Sequence, residues 1–175
     1  RDAAGNLAPA AGPSASCTVD TVRPTISISA PTTTPVLAGS SSTSFTVTYT
    51  GTSEVTLDLT DLTLNPSGTA EGTLSIDSPS GPNDASRVIT VNGISGEGSF
   101  TVTIAAGTGR DVAGNYTLVA TSSACAVDTV RPTIEIGAPT VSPVLAGNTS
   151  TSFTVTYSGT SAVTLALANL TLVPT

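Results

Sequence analysis

The chain has 175 residues and a net charge of −7, from 12 acidic side chains against five Arg, and it contains no His, Lys, Gln, Met or Trp. That charge disfavours nucleic acid as a partner, and apolar runs of a handful of residues fall far short of the roughly 20 that a spanning helix requires, so membrane insertion is not expected. Without His or Lys the commonest general base, Schiff-base former and phosphate binder are all missing, which argues against an enzyme.

In chain order, Arg-Asp-Ala-Ala-Gly-Asn at 1–6 reads as a turn, and the stretch through Cys17 as the end of a strand. Period-two alternation of apolar residues with Thr or Ser then marks strands at 25–29 and 45–49. Further strands are predicted at 55–59, 73–76, 88–91 and 100–104, with a last one running through about 116–127. Turn residues cluster between them at 31–35, 65–68, 78–84 and 107–115. No window shows a helical period. Charged residues make up 10% of the chain, against roughly 25% in an ordinary soluble domain; Thr, Ser, Gly and Pro fill their place.

The sequence repeats itself. Residues 17–67 and 125–175 are identical at 37 of 51 positions, an offset of 108, and the 1–6 turn returns at 110–115 as Arg-Asp-Val-Ala-Gly-Asn. This divides the chain into the C-terminal end of one unit (1–22), a complete unit (23–130) and the N-terminal part of a third (131–175). About seven short strands per unit, each apolar on one face, predict an all-β fold of tandem β-sandwiches. The expected core is Ile26, Ile28, Phe45, Val47, Tyr49, Leu57, Leu74, Ile76, Val91, Phe100, Val102, Ile104 and Leu118. An incomplete third sandwich would expose Phe153, Val155, Leu165 and Leu167, so the natural polypeptide is expected to be longer or to be completed by neighbouring copies.

Two motifs carry a family resemblance. Arg-Asp-x-Ala-Gly-Asn before the last strand and Val-Asp-Thr-Val-Arg-Pro-Thr at the unit junction resemble bacterial Ig-like repeat domains of large surface adhesins and other secreted multi-repeat proteins. The resemblance implies Ig-like sandwiches joined end to end outside the cell. The isopeptide and ester cross-links of such domains need Lys or Gln, and neither residue is present.

Asp111, Asn115 and Asp128, with counterparts Asp2, Asn6 and Asp20, can be read in two ways. They are calcium ligands, as in interdomain loops of related adhesins, or they belong to local Asx-turns in which Gly114 supplies a positive φ. Asp111 and Asp128 bracket a long strand, which sets them at opposite ends of one sandwich. Glu54, Asp58 and Asp61 become Ala162, Ala166 and Asn169 one unit later, so this acidic stripe reads as a solvated face.

Cys17 and Cys125 lie a whole unit apart, too far for the roughly 4.4–6.8 Å Cα separation of a mutual disulfide. Each is a buried thiol or half of an intermolecular disulfide, and the unchanged Val two residues on puts Cys125 and Val127 on one, inward face.

The expected role is that of an extracellular structural repeat protein, a stalk, fibre or surface-layer segment whose main partner is itself. No cofactor beyond that calcium is expected. The alternative is a carbohydrate- or host-protein-binding adhesin module, for which Tyr116 is the one loop-edge aromatic.

Overall fold

The computed structural model describes residues 1–77 and 84–173. Its strands are β1 (Thr25–Ile28), β2 (Val36–Leu37), β3 (Ser42–Thr50), β4 (Glu54–Val55), β5 (Leu62–Gly68), β6 (Glu71–Ile76) and β7 (Ser86–Ser95). They continue with β8 (Glu97–Ile104), β9 (Gly109–Arg110), β10 (Ala120–Thr121), β11 (Cys125–Asp128), β12 (Thr133–Ile136) and β13 (Val155–Ser158). Two short 3₁₀ turns, Leu59–Asp61 and Leu167–Asn169, are the only helical segments among the described residues, so no helix there is long and apolar enough to cross a membrane.

Residues 25–128 form a β-sandwich-like body. One sheet has the order β1-β3-β7-β6. The other runs β10-β8-β11-β2, with β5 on the far edge of β8. Pairing is antiparallel apart from β11 with β2, where Val127 faces Val36. Alternation decides what lies between the sheets. Phe45, Val47 and Tyr49 of β3 and Ile89 and Val91 of β7 meet Phe100, Val102 and Ile104 of β8, with Val36, Cys125 and Val127 closing the layer. Each large apolar side chain so buried contributes about 1.5–3 kcal/mol relative to exposure.

Hydroxyl groups complete the ladders where strands stop. The N–H of Ser122 donates to Val102 O while its Oγ accepts the Val102 N–H, both at 2.9 Å. Thr117 does the same with Gly109: its N–H donates to Gly109 O (2.9 Å) and its Oγ1 accepts the Gly109 N–H (3.2 Å). Thr43 Oγ1 accepts from Thr33 N–H and donates to Thr33 O, each at 3.0 Å. The buried Arg87 donates to Leu57 O (3.1 Å), to the Asp77 carboxylate (3.2 Å) and to Asp77 O. Among the described residues no buried side-chain polar atom lacks a partner, as burial demands.

Several expectations need correction. The strand predicted at 55–59 is only β4; the chain then enters a 3₁₀ turn, where Asp58 caps the Leu59 N–H and Asp61 accepts the Asp58 N–H at 2.9 Å. Glu54 pairs with Arg110. The acidic stripe is therefore two caps and an ion pair, not one solvated strand face. Residues 65–68, read as a turn, continue β5 along β8, with Pro66 opposite Phe100. An edge strand tolerates a proline because its outer N–H groups have no ladder partner.

The last strand breaks into β10 and β11. Before β10, Thr117 takes the inward place (1% exposed) and Leu118 points out (63%), against the expected core. The hydroxyl is inside because it is the partner of Gly109. The turn expected at 78–84 lies outside the described residues except for Asp84.

Residues 1–24 carry no strand, and the segment through Cys17 that the sequence assigned to one has no partner there. Farther on, β12 pairs β13 with Ile134 opposite Tyr157 and Ile136 opposite Val155, the register of Ile26 with Tyr49 and Ile28 with Val47 in β1 and β3. The 3₁₀ turns also fall 108 positions apart. Phe153 and Leu165, however, are exposed where their counterparts Phe45 and Leu57 are buried.

Thr117 and Leu118 give a direct test of the corrected core. Thr117→Val is expected to lower the unfolding free energy by about 1–3 kcal/mol by orphaning the Gly109 N–H, and Leu118→Ser to change it by less than about 0.5 kcal/mol. Urea denaturation of both variants checks this; the reverse ranking would restore Leu118 to the core.

Candidate functional site

The most elaborate polar geometry outside the core is at the turn 110–115. Gly114, at φ 93°, occupies the left-handed region that glycine adopts freely. This lets the chain close on itself: Asp111 N–H donates to Asn115 O (3.1 Å) and Gly114 N–H to Asp111 O (3.2 Å). Asp111 Oδ1 accepts the Asn115 N–H at 2.8 Å, and Oδ2 accepts Asn115 Nδ2 at 2.9 Å. The earlier copy, Asp2 to Asn6, makes the same pair of bonds at 2.9 and 2.8 Å with no sandwich around it. The turn is thus encoded locally.

Around the second copy the turn reaches out. Asn115 Nδ2 also donates to Asp20 O (3.2 Å) and Val22 O (3.4 Å), more than 90 residues away in sequence. Arg23 Nη1 donates to Tyr116 O at 3.0 Å. Within the linker, Asp20 Oδ1 accepts the Val22 N–H at 3.0 Å. The linker entering the sandwich is therefore held by backbone carbonyls and one guanidinium, without a charge pair.

Asp128 is elsewhere. It pairs across the sheet with Glu97 at one end of β8, whereas the 110–115 turn lies beyond Ile104 at the other. Seven residues of strand separate these ends by about 23 Å. Asp111, Asn115 and Asp128 therefore do not form one site. Within the turn both Asp111 oxygens accept N–H groups, and calcium takes about six to eight oxygen ligands. Among the described residues no three His, Cys, Asp or Glu side chains gather as a metal-binding group.

At the Asp128 end, Thr129 N–H and Oγ1 both donate to Gly96 O, at 3.1 and 3.0 Å. A cavity of about 560 Å³ lies beside it, lined by Glu97, Asp128, Arg131 and Gly159 among others.

The cysteines differ. Cys125 is fully buried, its Sγ donating to Thr33 O at 3.4 Å, and burial raises its thiol pKa. It is out of reach of another chain in this fold. Cys17 is exposed.

Compared with known proteins, the chain matches no family model, no curated protein and no solved structure. The site therefore rests on its own geometry. Asp111 and Asn115 are legible in the sequence as turn residues, whereas Arg23 and the carbonyls of Asp20 and Val22 are not marked there as their partners. One signal was available: Asp-Thr-Val-Arg-Pro-Thr-Ile at 20–26 returns unchanged at 128–134.

Two outcomes follow from these environments. Hydrogen bonds from the Asn115 side chain, then from backbone N–H groups, hold the Asp111 pKa below its ordinary value. A depressed folded pKa contributes stability that is present above the unfolded value of about 3.9 and is lost as pH falls through the folded one. NMR titration of the Asp111 carboxyl should give a midpoint below that of an unstructured aspartate, rising in Asn115→Ala; an ordinary midpoint in the native protein would contradict the turn. Separately, a thiol reagent should label Cys17 at once and Cys125 only on unfolding; equal rates would place Cys125 at the surface.

Proposed function

We propose that this is an extracellular structural repeat protein, built of Ig-like sandwich units in tandem and serving as a segment of a stalk, fibre or surface layer. One observation carries the reading. The 108-residue recurrence in sequence is matched by recurrence of strand register and 3₁₀ turn at that offset, and the 2–6 turn returns with its hydrogen bonds at 111–115, one residue out of register, as expected when the same folded unit is repeated along a chain. A low-charge, Thr-rich surface suits lateral contact between copies, because such faces repel one another little. The mechanism is mechanical: each unit buries its own core, and length grows by adding units.

Immunogold labelling of the producing cells with an antibody to residues 23–130 tests this. Label on external filaments or a surface layer is the expected result; label confined to the cell interior would overturn it.

A second reading has one observation in its favour. Tyr116, half-exposed, lines a concavity of about 240 Å³ with Glu54 and Arg110, a setting in which an aromatic ring would meet a sugar or a partner protein. Loss of glycan or host-cell binding in Tyr116→Ala would favour that adhesin role.

A further inference from the structure

We propose that the 110–116 segment is a docking face for the outgoing linker of an identical preceding repeat, and that each Asp-Thr-Val-Arg linker is gripped from both sides at once. The proposal rests on the tandem-repeat reading above and names the partner of this face: the C-terminal end of another copy of the same unit.

The chain shows two linkers of identical sequence, 20–26 and 128–134, and each displays one half of the grip. At the first, the following sandwich takes hold: Asn115 donates to the carbonyls of Asp20 and Val22, and Arg23 reaches back to Tyr116 O. At the second, the preceding sandwich does so, through Gly96 O and the N–H and hydroxyl of Thr129. The two halves use different side chains and mostly different backbone atoms. Thr129, which corresponds to Thr21, supplies donors; Asp20 and Val22 supply acceptors. The Asp carbonyl alone is shared, because Asp128 also pairs with Leu37 of β2, and its second lone pair remains for the following unit. Both halves are therefore compatible on one linker.

Superposing them leaves few free backbone groups. The Asp carbonyl, Thr N–H, Val N–H and Val carbonyl all have partners, the Val N–H through the Asp carboxylate. The next residue after Arg is Pro, which has no N–H and a fixed φ. A segment so bonded has little torsional freedom left to act as a hinge. Asn115 is the central group of the face: one amide hydrogen goes to Asp111 Oδ2, fixing the rotamer, and the other is shared by the two linker carbonyls.

Backbone ¹⁵N relaxation on the 175-residue chain reads each half of the grip on its own linker. Amides of Thr21, Val22 and Arg23 should have order parameters near the rigid value of about 0.85, and Asn115→Ala should bring them below about 0.6 with β3 and β8 unchanged. Arg23→Ala, which leaves the turn intact, should act in the same direction, while Thr129→Val should loosen Val130 and Arg131 and spare residues 21–23. Mobile 21–23 amides in the native protein, or rigid ones in Asn115→Ala, would overturn the grip. Either outcome leaves the cell-surface labelling result standing, and interior labelling would leave the grip standing, so the two failures are distinguishable.

Discussion

Every point where a ladder stops leaves backbone N–H and C=O groups that cannot remain unpaired inside the protein. This fold has many such points, because its strands are short and several break midway. It meets the constraint with hydroxyls. Ser122, Thr117 and Thr43 each use a side-chain oxygen where a regular strand would use a carbonyl, and Thr129 adds its hydroxyl to its own N–H at the sandwich exit. A Thr- and Ser-rich chain with few charges is thus chemically equipped for this architecture: hydroxyls both donate and accept, and they cost little to bury once paired.

The same logic extends to the ends of the sandwich. A linker of a few residues has no ladder of its own, and its exposed carbonyls take partners from water or from the sandwich it touches. Asn115 does this at the entering side, and its geometry is fixed by Asp111, whose lowered pKa reflects the same hydrogen bonds. An acidic residue here works as a rotamer lock for an amide, and the amide works as a clamp on a backbone. The Asp2–Asn6 copy shows the lock without the clamp, which separates what is encoded within six residues from what requires the neighbouring segment.

How much of this was legible follows from the range of each interaction. The alternating strands that became β1, β3, β6, β7 and β8 were readable, since period two survives wherever one face is buried. The inward placement of Cys125 with Val127 was readable for the same reason. Leu118 misled because the alternation holds only inside a ladder, and residues 116–119 have just the isolated Arg110–Tyr116 bridge. The acidic residues 58 and 61 misled because capping depends on a 3₁₀ turn with no apolar periodicity to announce it. At the junction, Asp111 and Asn115 were visible as turn chemistry. Their partners were not, because a backbone carbonyl has no letter in the sequence and Arg23 donates to one as well.

Hydrogen bonds with Asn115 and Tyr116 hold residues 20–23 to the sandwich they enter, so that the two move as one. Residual dipolar couplings of the 175-residue chain, measured in a single alignment medium, address this most directly. The amide couplings of residues 21–23 are predicted to match those calculated from the alignment tensor of the sandwich at 25–128. Couplings at 21–23 averaged well below those values would contradict it.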